Sequence, residues 1–130
     1  MATVPATKVA DPNINLMKVM WEGFATNGDV GAPIAMGDFA DRTVQVFGTF
    51  GTGGEITMEG SNDPRANPGH AGYAGSVWFP LTDPQGNAIV KTAASGEAVT
   101  ELPEWVRPRL SAGSGTIDID VILYMRGLRQ

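Results

Sequence analysis

Thr116-Ile117-Asp118-Ile119-Asp120-Val121-Ile122-Leu123-Tyr124-Met125-Arg126 is the stretch that decides the fold. Ile117, Ile119, Val121 and Leu123 fall on one side of an extended chain, and Asp118, Asp120, Ile122 and Tyr124 on the other, because successive strand side chains point to opposite faces. A period of two held over this length specifies a half-buried strand, and its β-branched residues pack well on a pleated surface.

Working outward, Arg42-Thr43-Val44-Gln45-Val46-Phe47-Gly48 alternates in the same way, with Val44 and Val46 on one face and Thr43, Gln45 and Phe47 on the other. After Gly51-Thr52-Gly53-Gly54, the run Glu55-Ile56-Thr57-Met58-Glu59 is expected to bury Ile56 and Met58 and to expose both glutamates, and the two segments to form a hairpin. Between 14 and 26 the apolar spacing fits helix or strand, and Gly23 with the β-rich remainder favours strand. Gly31 and Pro33 restrict any strand near them to an edge or an irregular one, and Asp83-Pro84-Gln85-Gly86-Asn87 is a turn before a strand at 88–92. A weak strand is expected at 97–102. Trp105 to Leu110 reads as a strand that Pro108 marks as an edge or a bulge, because proline donates no ladder hydrogen bond. Ser61 opens a loop reaching about Ser76 that is long enough to suspect of function.

About eight strands joined at short intervals give an all-β, single-domain antiparallel β-sandwich, jelly-roll-like, with an extended N-terminal arm. The arm is placed at 1–13, where Pro5 and Pro12 interrupt small and polar residues, and the sandwich domain at 14–130. Seventeen glycines and nine prolines spread along the 130 residues suit the many turns this requires. With no cysteine, neither a disulfide nor a thiolate metal site holds the fold.

The formal net charge of −5 argues against nucleic acid as a partner, since phosphate affinity comes from cations that release condensed counterions. The last 24 residues hold Arg107, Arg109, Arg126 and Arg129 against Asp118 and Asp120, which suits an acidic neighbour at that end. No apolar run approaches the roughly 20 residues that span a bilayer, and the N-terminus lacks a signal peptide's apolar centre, so no membrane partner and a cytoplasmic site of synthesis are expected.

Sites for chemistry are sparse. Asp118 and Asp120 share a strand face without a third ligand beside them in sequence, and His70, the single histidine, has no nucleophile elbow near it. The Gly51–Gly54 run lacks the lysine and helix of a phosphate loop. No cofactor, no metal and no catalytic residue is therefore assigned. Trp21, Trp78 and Trp105, with Tyr73 and Tyr124, offer a stacking platform for sugar rings, against the alternative that Trp78 and Trp105 fill the core. On the second view Trp105→Ala leaves a cavity.

The order Val44 to Gly51, then Met58-Glu59-Gly60-Ser61-Asn62-Asp63, then Trp78, then Leu81 to Asn87, then Val106-Arg107-Pro108 and Gly115-Thr116 resembles a family of small tailed-phage virion proteins. Over roughly 42–126 the chain is similar to capsid cement proteins of tailed bacteriophages, those of short-tailed Bordetella phages included. The resemblance implies a non-enzymatic protein of the virion that binds the outer surface of the capsid, bridges major capsid protein subunits and forms a homo-oligomer, in the first place a dimer. Gly60-Ser61-Asn62-Asp63 also resembles galactose-binding-like sandwiches, so a carbohydrate-binding module is the alternative, with a low-copy tail or neck protein as a further one. For the cement role, Val4, Pro5, Lys8 and Val9 of the arm, with Arg126 and Arg129, are the expected capsid or subunit contacts, and the sandwich is expected to fold without residues 1–12.

Overall fold

The computed structural model describes residues 2–9, 16–35 and 39–127. In chain order the strands are β1 (Thr3–Val4), β2 (Ala6–Val9), β3 (Leu16–Phe24), β4 (Val30–Gly31), β5 (Ile34–Ala35), β6 (Phe39–Thr49), β7 (Thr52–Ser61), β8 (Phe79–Pro80), β9 (Val90–Lys91), β10 (Ser95–Val99), β11 (Trp105–Ser114) and β12 (Asp118–Gly127). Two short 3-10 turns, Pro64–Ala66 and Tyr73–Gly75, lie in the 62–78 loop. Among the described residues one sheet has five strands in the order β10-β6-β12-β3-β2, all antiparallel. The other has seven, along the path β1-β4-β11-β7-β8 with β5 beside β11 and β9 beside β7. The fold is an all-β sandwich, and the chain repeatedly changes sheet, as a jelly-roll-like path requires.

Alternation places the core. Val44 and Val46 of β6, Ile119, Val121, Leu123 and Met125 of β12, and Val19 and Trp21 of β3 point inward and are buried. Ile56, Met58, Val106 and Leu110 meet them from the other sheet. The largest of these is Trp21, fully buried, whose Nε1 donates to the Ala32 carbonyl at 3.0 Å, so its one polar atom is satisfied where water is excluded. Trp78 and Trp105 are only half-buried, because Trp105 shares its strand with Val106, Pro108 and Leu110 and points the other way. Trp21, not Trp78 or Trp105, is therefore the core tryptophan.

Three further expectations are corrected. The segments 42–48 and 55–59 do not pair: β6 belongs to the five-stranded sheet and β7 to the seven-stranded one. The glycines between them serve a corner instead of a hairpin loop. Gly51 turns at φ 59°, and a Cβ there would lie 2.5 Å from the Ser114 carbonyl oxygen. The Gly54 amide closes the corner on the Phe50 carbonyl at 3.0 Å. Second, Pro108 stands in the interior strand β11, not at an edge. The Leu110 amide points toward the β4 side, donating to the Asp29 carbonyl at 2.8 Å, so the nitrogen of Pro108, two residues away, faces the gap between β4 and β5. The missing donor falls where the ladder is already broken, and register shifts follow between Leu110 and Ser114. Third, Glu59 is buried, not exposed.

The N-terminal segment is part of the sandwich as far as it is described. β1 runs parallel to β4 in one sheet and β2 antiparallel to β3 in the other, with Val4 only 5% exposed in the core between them. The expected boundary between 13 and 14 lies outside the described residues. Deleting residues 1–12 removes two strands and a core side chain, so the expectation of an unaffected sandwich gives way to one of a destabilised fold. The thermal midpoint is expected to fall by several degrees, at about 4–8 °C per kcal/mol lost in a domain near this size, and an unchanged midpoint refutes the docking. Trp21→Ala is expected to cost about 3–5 kcal/mol in urea unfolding, and Trp105→Ala clearly less.

Candidate interaction surfaces

Three places deserve construction from their residues: the seat of the N-terminus, and the outer face of each sheet. The first is built by Asp29, 4% exposed, after the turn Thr26-Asn27-Gly28. Its Oδ1 accepts the Ala2 amide at 2.7 Å, and its Oδ2 accepts those of Ala25 and Thr26 at 3.1 and 2.9 Å. Burial pushes the carboxyl pKa up, but the three amide donors outweigh it and hold the group below the ordinary carboxylate value. One side chain thus ties β1 to the β3–β4 connection. Nothing in the sequence singles out Asp29 beyond its place at a turn.

The outer face of the seven-stranded sheet is closed by its own residues. Register sets Arg107 opposite Glu59, and both side chains are nearly buried, at 13% and 11% exposure. The Arg107 Nε donates to Glu59 Oε1 at 3.0 Å and the Arg109 Nε to Oε2 at 3.1 Å. A second nitrogen of Arg107 donates to the Tyr73 hydroxyl at 3.0 Å, while its guanidinium stacks on Trp78 at 3.9 Å. Tyr73 and Trp78 bring the 62–78 loop down over β7 and β11. Asp63 braces that loop by accepting the amides of Arg65 and Val77 at 2.9 Å each and a guanidinium nitrogen of Arg65 at 2.8 Å. These donors, the Arg65 guanidinium first among them, hold the Asp63 carboxyl well below the usual range. Two of the four arginines in the last 24 residues are therefore committed internally.

The outer face of the five-stranded sheet is covered by none of the described residues. Register aligns its outward side chains in rows: Val9, Lys18, Tyr124 and Thr43 in one, and Thr7, Met20, Ile122 and Gln45 in the next. Asp120 and Phe47 form a third, beside Glu22. Met20, Ile122, Tyr124 and Phe47 are half-buried, and Lys18 lies over the Tyr124 ring at 5.9 Å. A groove of about 910 Å³ runs between this face and β10. Alternation along β12 signals this face in the sequence, but which side chains stand in a row depends on register, which alternation alone does not reveal.

Of the expected contact residues, Pro5, Lys8 and Arg126 are exposed and Val9 is 41% exposed, whereas Val4 is in the core and no contact surface as folded. Arg129 lies outside the described residues. Lys8, Val9 and Arg126 all belong to the five-stranded sheet, with Arg126 opposite Leu16. Asp118 and Asp120 do not converge with another acid: Asp120 accepts the Gly23 amide at 3.0 Å, and no group of three His, Asp or Glu among the described residues is placed to hold a metal. His70 Nδ1 accepts the Gly72 amide at 2.8 Å within its turn. The sugar platform is not assembled, for Trp21 is buried and Arg107 covers a face of Trp78. Arg42, inward by the same alternation as Val44, is buried with its guanidinium donating to the Glu101 and Phe39 carbonyls at 3.1 and 3.3 Å. Burial lowers its pKa to about 10.

Glu101 also sits below its ordinary value: burial raises it, but donation from the Thr82 hydroxyl and amide prevails. A carboxyl with a depressed folded pKa stabilises above its unfolded value and loses that contribution as pH falls through the folded one. With Asp29, Asp63 and Glu101 all depressed, thermal stability is expected to be level down to about pH 5 and to drop below about pH 4. Asp29→Asn is expected to lower the neutral plateau and flatten the acid limb. An acid limb identical to that of the unsubstituted protein removes Asp29 from this role.

No family model and no curated protein matches the chain. A likeness is found among solved structures: the crystal structure of the SPBc2 prophage-derived protein YomS superposes with a TM-score of 0.53 at 14% identity, covering 90% of this chain and 98% of that one. At that identity the likeness is one of fold, and it extends over nearly the whole of both chains.

Proposed function

We propose that this chain is a non-catalytic structural protein of a bacteriophage virion that binds the outer surface of the capsid and bridges major capsid subunits. The observation that carries the reading is the nearly end-to-end likeness of fold to a prophage-derived protein. The cement role and its likeness to the proteins of short-tailed Bordetella phages are the finer part of the proposal, resting on the motif order between 42 and 126.

The charges supply a docking end. Among the described residues Arg42 is buried, and Arg65, Lys91, Arg107 and Arg109 sit in ion pairs. Lys8, Lys18 and Arg126 remain outside any ion pair, and all three stand on the five-stranded sheet. Lys8, Pro5 and Arg126 at its rim would meet acidic capsid surface. Each exposed contact contributes only about 0.2–1 kcal/mol, but many copies on one shell act together.

Two measurements test this. Copy number in purified virions is expected near one per major capsid subunit, and a handful of copies moves the protein to the tail or neck. Co-sedimentation with expanded capsids is expected to weaken with salt, because exposed charges are screened. Lys8→Glu with Arg126→Glu should weaken it by about tenfold. Undiminished binding by that variant removes the rim from the contact.

A further inference from the structure

From the five-stranded sheet we infer that its outer face is a self-complementary interface that pairs two copies of this chain face to face. The inference does not depend on the capsid reading.

The edges are blocked against pairing. In the five-stranded sheet, Glu97 of edge strand β10 is in register with inward-facing Val44 and is held by Lys91 at 2.8 Å, while Lys8 of edge strand β2 is in register with inward-facing Val19. An inward-pointing charge at an edge opposes the addition of another strand. In the other sheet the edges are two-residue strands, one ending in Pro80. The outer face of that sheet is filled by the 62–78 loop and the Glu59 ion pairs. The outer face of the five-stranded sheet remains.

Its rows are arranged for a twofold axis lying between the sheets and across the strands. The middle row then meets itself: Met20 on Met20, Ile122 on Ile122, Gln45 on Gln45 of the second copy. Rows equally distant on either side exchange, so Lys18 faces Glu22 of the other copy and Tyr124 faces Asp120. Each opposition occurs twice, as an isologous contact demands. Strands about 4.8 Å apart and about ten residues long make a face of about 24 by 33 Å, roughly 800 Å², the area one partner buries in a stable interface. Sheets stack in this aligned way about 10 Å apart.

Sedimentation equilibrium of the full chain reads the result directly. The unsubstituted protein is expected to be a dimer. Ile122→Lys is expected to be a monomer with unaltered circular dichroism. Lys18→Glu alone and Glu22→Lys alone set like charges face to face and should each weaken dimerisation by tenfold or more, while the double exchange restores it. A monomeric unsubstituted protein overturns the inference, as does a dimer that survives Ile122→Lys. Failure of the double exchange to restore pairing overturns the proposed axis even if Ile122→Lys dissociates the dimer.

Discussion

Everything in this sandwich depends on the register of β12 between β6 and β3. The pairing that buries Ile119, Val121, Leu123 and Met125 fixes the outward places of Asp120, Ile122, Tyr124 and Arg126. A slip of one residue would exchange the two sets and drive carboxylates into the core. The core and the exposed face are thus one specification, written twice along the same strand. Strain at its ends is taken up locally: Gly23, at φ 87°, stands where the β3 register shifts against β12, and Gly48 passes so close that a Cβ would lie 2.2 Å from the Asp118 carbonyl oxygen.

Much of this is legible in the sequence because alternation is a local property. The strands β6 and β12, their inward sets and the inward place of Arg42 all follow from a period of two. What alternation does not carry is the partner of each strand. The glycines at 51–54 suit a hairpin and a sandwich corner equally well, since both need positive φ, and only the contest among sheets decides between them. Pro108 misleads for a related reason. An interior strand can hold a proline if its neighbour is broken opposite it, and Gly31 with Pro33 provide that break 75 residues earlier in the chain.

Glu59 shows the same limit in charge. Alternation places it outward, which is correct, but outward means solvent only where nothing lies above. The 62–78 loop and Arg107 close over it. A carboxylate removed from water needs its lone pairs satisfied, and two arginine nitrogens do so. The same pairing cancels the positive charge that composition assigns to the C-terminal quarter. The surface field is then set by which cations lack a partner, and those described are on the other sheet.

That separation divides labour between the sheets. The seven-stranded sheet uses its polar outer residues to seal itself, so its ion pairs contribute to rigidity and are withdrawn from recognition. The five-stranded sheet keeps apolar side chains half-exposed, with Lys18, Glu22 and Asp120 around them and Lys8 and Arg126 at the rim. Half-exposed Met20, Ile122, Tyr124 and Phe47 gain about 25 cal/mol for each Å² withdrawn from water, whereas the surrounding charges select orientation more than they add affinity. A face of this composition favours one docking geometry, and blunted edges deny the chain the indiscriminate alternative of strand addition. Ordered association of many copies requires both properties together.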